Sequence, residues 1–259
     1  MKTTAGLLKG ILITATALIG LSACQKNDST QTPLKKQYTI SPSNRPGSPQ
    51  ISGTVDFKEI LNTDSVDVTI QLQGVSQDGS YPVYLRNGTS IENGAVAYNL
   101  GFVDGRNPTL TTSIPVSFSN LIKYNGCIDI YRNPNDTVTI VAQSEIGTNE
   151  VYKSYNMSSP LNNTINGEFR IYKRPTGAYV VIRIDTSVAH TGGVSHPARV
   201  YKSDGTRDFD LSDVSATTGV SATNTPDHTF DELTHYDGMI KVLASKEVQD
   251  VTLSQGQFK

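Results

Sequence analysis

Val66-Asp67-Val68-Thr69-Ile70-Gln71-Leu72 decides the fold class. Apolar and polar residues alternate without a break, which puts one set on each face of an extended strand. Val180, Ile182 and Ile184 alternate with Val181, Arg183 and Asp185 in the same way. Turn-forming clusters recur at short intervals: Gln77-Asp78-Gly79, Arg86-Asn87-Gly88, Asp104-Gly105, Asn133-Pro134-Asn135-Asp136 and Ser203-Asp204-Gly205. The nearest approach to a helix, Phe230-Asp231-Glu232-Leu233, is one turn long. Many short strands with turns between them predict an all-β chain of sandwich or barrel type.

Outward from these strands the chain repeats itself. Ile51-Ser52-Gly53 is echoed by Ile165-Asn166-Gly167, and Ser80-Tyr81-Pro82 by Ser195-His196-Pro197. Phe118-Ser119-Asn120-Leu121-Ile122-Lys123-Tyr124-Asn125-Gly126 is echoed by Phe230-Asp231-Glu232-Leu233-Thr234-His235-Tyr236-Asp237-Gly238. The offsets of 114, 115 and 112 hold the register through the unit. A period this long indicates tandem domains rather than a solenoid. The expectation is two antiparallel Greek-key-type β-sandwich domains, residues 50–152 and 165–259, the second copy degenerate. A polar linker, 153–164, joins them.

The first 24 residues address the chain. Lys2 and Lys9 are positive, Leu7 to Leu21 is mostly apolar, and Leu21-Ser22-Ala23-Cys24 follows. That order is a secretory signal over residues 1–23. Its end resembles a lipobox, which implies cleavage before Cys24 and acylation there. Several acyl chains make a stable anchor, since each buried methylene contributes about 0.8 kcal/mol. Residues 24–49, with Pro33, Pro42, Pro46 and Pro49 among polar residues, read as a disordered tether. Gln25 stands where an aspartate retains many lipoproteins in the inner membrane. The expected location is therefore the outer membrane of a Gram-negative cell, with the bilayer as one partner through acylated Cys24.

Charge and cysteine content exclude other classes. Removing residues 1–23 leaves 20 basic and 24 acidic residues, a net charge of −4, so no basic field is offered to nucleic acid. With Cys24 acylated, Cys127 has no intrachain partner. Its strand-like setting, Gly126-Cys127-Ile128-Asp129-Ile130, predicts a small buried filler.

The repeat unit resembles bacterial CHRD-domain lipoproteins. The resemblance rests on Tyr81-Pro82-Val83-Tyr84-Leu85-Arg86-Asn87-Gly88-Thr89, Gly94 to Leu100, Val103-Asp104-Gly105 and Tyr124 to Ile130. It extends to the closing segment Ile140-Val141-Ala142-Gln143-Ser144-Glu145-Ile146-Gly147-Thr148-Asn149-Glu150. The second copy keeps His196-Pro197, Tyr236-Asp237-Gly238 and Ser254-Gln255-Gly256. This resemblance implies a sandwich like that of copper/zinc superoxide dismutase and no established activity. The family strand reads approximately His-Pro-x-His-Ile-His. Here those positions hold Tyr81, Tyr84 and Arg86 in the first copy, and His196, Arg199 and Tyr201 in the second. One histidine remains of six, too few for a zinc or copper site of three or four ligands. No metal and no cofactor is expected. Tyrosine and arginine are favoured at interface hot spots, so these six positions are the candidate binding residues, with packing as the competing explanation.

Other chemistry is thin. His190, His196, His228 and His235 have no close ligand spacing, and His190 and His228 lie in polar loops. Asp208, Asp210 and Asp213 lack the closing acid of a calcium loop and read as a solvated loop. No G-x-S-x-G elbow or phosphate loop occurs. The leading expectation is a non-enzymatic envelope lipoprotein that binds an envelope protein or glycan, or plays a structural part. The alternatives are a metal-binding, superoxide-dismutase-like protein built on His196, His228 and His235, and a carbohydrate-associated surface protein using exposed tyrosines and loop carboxylates.

Overall fold

The computed structural model describes residues 31–43, 48–160, 165–185 and 194–259. Cys24 and His190 lie outside the described residues. Residues 33–259 form one compact unit. Its first eight strands are β1 (Lys35–Pro42), β2 (Ser52–Ile60), β3 (Ser65–Gln73), β4 (Ser80–Asn87), β5 (Val96–Asp104), β6 (Thr109–Ile114), β7 (Asn125–Asn133) and β8 (Asp136–Gly147). Eight more follow: β9 (Tyr152–Met157), β10 (Gly167–Lys173), β11 (Ala178–Ile184), β12 (His196–Lys202), β13 (Arg207–Val214), β14 (Val220–Thr225), β15 (Gly238–Leu243) and β16 (Thr252–Gln257). Two one-turn helices, α1 (Phe118–Leu121) and α2 (Phe230–Thr234), sit at matching points of the repeat.

Strand β3 carries out the alternation written in its sequence. Val66, Val68, Ile70 and Leu72 are buried, and the residues between them face outward. Each such side chain contributes about 1.5–3 kcal/mol on full burial. Every strand pair is antiparallel.

The first eight strands form one sheet in the order β5-β4-β7-β8-β1-β2-β3-β6. Its end strands, β5 and β6, return alongside one another, so the sheet nearly closes. The second half holds two four-stranded sheets, β14-β11-β10-β9 and β13-β12-β15-β16. Counting eight strands on from each member of the first sheet reproduces that order. The register of the sequence repeat is therefore a register of topology. At the equivalent seam Ser41 pairs with Gln143 in the first half, and Ser158 exchanges two 2.8 Å backbone hydrogen bonds with Gln255 in the second. Each half has its own apolar cluster: Val55, Val68, Ile70, Val83 and Ile128 are central to one, Phe169, Ile182, Val200, Ile240 and Phe258 to the other.

Three expectations are corrected. Residues 35–42, read as part of a tether, are a strand with Tyr38 and Ile40 buried. The prolines bracket this segment, and none falls inside it before Pro42. Residues 152–157, read mostly as linker, are a strand with Tyr155 and Met157 buried. These two strands are themselves copies, since Tyr38-Thr39-Ile40-Ser41 aligns with Tyr155-Asn156-Met157-Ser158. Each rests on only two apolar residues, which is too short a pattern to stand out. Finally, Asp208, Asp210 and Asp213 belong to β13 rather than a loop. Their carboxylates meet Lys202, Arg207 and Lys246 respectively.

Candidate functional site

The six candidate positions fall at matching places on β4 and β12. Successive side chains on a strand face opposite ways, and this divides the set. Tyr81 and His196 turn inward and are each 6% exposed. Tyr81 Oη accepts the Ser76 N–H at 2.9 Å, and His196 Nδ1 lies 2.7 Å from the Ala244 carbonyl oxygen. These two are packing residues, a correction to their place in the binding set. The other four are half-buried on the outer face. Tyr84 meets Tyr131 edge-on at 5.6 Å. Arg86 donates to the Gly94 carbonyl at 2.7 Å, and its Nε lies 3.4 Å from buried Asp129. Arg199 donates to Gln249 at 2.7 Å and faces Asp210 at 3.5 Å. Tyr201 carries the Lys241 ammonium over its ring at 4.7 Å. A cavity of about 260 Å³ lies beside Arg199, but its charges pair internally, Arg199 with Asp210 and Lys246 with Asp213.

The three described histidines do not form a ligand group. His228 stacks on Phe209 at 4.2 Å, and His235 Nδ1 lies 2.8 Å from its own helix carbonyl at Asp231. Among the described residues no group of three His, Cys, Asp or Glu could hold a metal ion. The metal alternative built on His196, His228 and His235 lacks its ligand set.

What the fold does bring together lies at the junction of the two copies. Strand β10 reads Phe169-Arg170-Ile171-Tyr172. Phe169 and Ile171 enter the second core, leaving Glu168, Arg170 and Tyr172 on the opposite face. On the corresponding strand β2 that face carries Thr54, Asp56 and Lys58. The difference matters because the first half covers the β10 face. Its β4–β5 connection, residues 88–95, is eight long where the β12–β13 connection, residues 203–206, is four. The extra length lets Ile91 pack on Tyr172 and Val181. Val181, predicted to face water, is fully buried for that reason. Glu92 accepts from Tyr179 Oη at 2.5 Å. Arg174 donates to the Thr148 carbonyl and to Asn149 Oδ1, both at 2.7 Å.

A charge network sits beside this contact. Glu145 Oε1, from β8, accepts from Ser90 Oγ at 2.7 Å, Ser90 N at 3.1 Å, Tyr172 Oη at 2.8 Å and Arg170 Nη1 at 3.2 Å. Arg170 also holds Glu168 through Nε and Nη2, at 3.1 and 3.0 Å. Glu145 Oε2 is buried and has no partner among the described residues. Burial pushes the Glu145 carboxyl up, against the pull of Ser90, Arg170 and Tyr172. Burial also works against the Arg170 charge, but Tyr172, Glu168 and Glu145 outweigh it and keep the guanidinium protonated.

A cavity of about 440 Å³ opens beside this network. The outer face of β1 supplies Gln37, Thr39 and Ser41, β8 supplies Gln143, and Tyr152 and Arg170 come from the second half. Tyr152 is 39% exposed, with the Arg170 guanidinium 5.1 Å from its ring centre. Neither Tyr152 nor the Arg170–Glu145 pair is singled out by local spacing. The nearest signal was Arg170 itself, a charge inside an otherwise apolar run and opposite in sign to its counterpart Asp56.

Among known proteins, no family model and no curated sequence matches the chain.

Proposed function

We propose that this chain is a lipid-anchored envelope protein and a non-catalytic binding module, with the cleft at the junction of its two repeats as the binding element. The cavity of about 440 Å³ beside the Arg170–Glu145 pair carries the reading. It falls in the size range of small-molecule sites and is lined by residues of both repeats. The use of the charged groups supports a non-catalytic role. Arg170 and Glu145 Oε1 spend their hydrogen bonds on each other and on Ser90, Tyr172 and Glu168. The two halves are read as tandem CHRD-type sandwiches, supported by their shared strand order. Anchorage at Cys24 and an outer-membrane address rest on Leu21-Ser22-Ala23-Cys24 and Gln25. No helix among the described residues is long and apolar enough to cross a membrane.

The test has two arms. Wild-type protein should fractionate with the envelope and take up labelled palmitate, and Cys24→Ser should lose both. Purified residues 25–259 should bind washed envelope, and Gln143→Ala should weaken that binding. An unlabelled wild type overturns the anchor. Envelope binding indifferent to Gln143→Ala overturns the cleft as its binding element.

A further inference from the structure

Thr39, Ser41, Gln143 and Tyr152 meet at the junction cleft with their polar groups unspent. Thr39 and Ser41 project from one face of β1, Gln143 stands opposite Ser41 on β8, and Tyr152 opens β9. None of the four makes a side-chain hydrogen bond among the described residues. The cationic groups at the same cleft are already committed. The Arg170 guanidinium is taken by Glu168, Glu145 and Ser90. Lys36 and Glu150 hold each other at 2.7 Å. Glu145 Oε1 receives four donors, and Oε2 is buried.

These facts restrict the ligand class. An anion needs an unspent cation, and the cleft offers none among the residues named. An apolar ligand would bury hydroxyl and amide groups without partners, at a cost of about 1–3 kcal/mol each. A ligand that is uncharged and rich in hydroxyls meets every demand. Each hydroxyl both donates and accepts, as do Thr39, Ser41, the Gln143 amide and the Tyr152 hydroxyl. The Tyr152 ring is 39% exposed, with the Arg170 guanidinium over it at 5.1 Å and Tyr172 tilted against it at 5.3 Å, and its remaining surface offers an apolar patch held in place by both. We infer that the cleft binds a neutral saccharide, with a sugar ring laid on Tyr152 and its hydroxyls held by Thr39, Ser41 and Gln143. This rests on reading the junction as a binding element.

The experiment is a panel of immobilised oligosaccharides, neutral (glucan, xylan, mannan and N-acetylglucosamine oligomers) and acidic (uronate oligomers), probed with purified residues 25–259. Neutral glycans should retain the protein. Gln143→Ala should weaken retention at least tenfold at an unchanged melting temperature, Tyr152→Ala should weaken it at least tenfold while the protein still melts cooperatively above the assay temperature, and Tyr201→Ala should leave it intact. Retention by uronates alone, by no glycan, or by glycans indifferent to both cleft variants would overturn the inference. If no glycan binds but washed envelope is still held in a way that Gln143→Ala abolishes, the saccharide assignment falls and the binding-module reading stands.

Discussion

Arg170 Nη1 stands 3.2 Å from Glu145 Oε1, and the two residues come from opposite copies of the repeat. Both side chains are almost wholly buried, at 3% and 4% exposure. A buried pair adds little over a well-packed apolar pair, but breaking it leaves a charge stranded. Arg170→Met should therefore cost about 3–5 kcal/mol, read as a lower urea midpoint. The double variant Arg170→Met, Glu145→Gln should cost less than the two single changes summed, since the partners are coupled. Strict additivity would mean that the pair does not act as one.

The two arginines of the altered strands stand at different motif positions, and their partners differ in burial. Arg86 faces Asp129, whose side chain is fully buried, whereas Asp210 beside Arg199 is half-exposed. Arg86→Ala should cost about 3 kcal/mol. Arg199→Ala should cost under about 1 kcal/mol. Equal losses in chemical unfolding would contradict this assignment.

The two one-turn helices differ in their caps. Thr229 Oγ1 accepts the Glu232 N–H, and the Glu232 carboxylate accepts the Thr229 N–H, forming a capping box. Ser117, at the start of α1, makes no such side-chain bond. Thr229→Ala should lower stability by about 1 kcal/mol, while Ser117→Ala should be close to neutral. Thermal melts of the two variants decide the matter.

Cys127 is free and fully buried, and burial pushes its thiol well above the ordinary range. A thiol reagent should leave it unlabelled in the folded protein at neutral pH and label it after denaturation. The pKa is raised in the folded state, so this group's contribution to stability is complete below the unfolded thiol's pKa of about 8.5. That contribution is lost as pH rises further, because only the unfolded chain readily ionises there. Cys127→Ala should lose less stability than wild type between about pH 8 and 10. Rapid labelling of the native chain would place the thiol outside the core.

Local pattern made much of the fold legible. Val66 to Leu72, the Gly and Asn turns, the single turn at Phe230 and the repeat register are all carried by neighbouring residues. Strands β1 and β9 escaped because Tyr38 with Ile40, and Tyr155 with Met157, are pairs where a recognisable alternation needs three or four members. Val181 looked solvent-facing because nothing near it in sequence announces that Ile91 will cover it. The junction was the least legible part. Glu145 and Arg170 lie on strands of different copies, and the faces meet through the long β4–β5 connection and through Arg174 on Thr148 and Asn149, none of which local spacing announces. Tyr81 and His196 fall on the inner face for a simpler reason. A motif with residues three apart on a strand puts its first member on the opposite face from the second.

The locked junction is tested most directly by differential scanning calorimetry of residues 25–259, wild type beside Arg170→Met. With the two copies sharing one buried network, wild type should unfold in a single transition whose calorimetric and van't Hoff enthalpies agree. Arg170→Met should lower that transition or split it in two. Two resolved transitions in wild type, unmoved by Arg170→Met, would show that the copies are independent and that the cleft between them is not held in place.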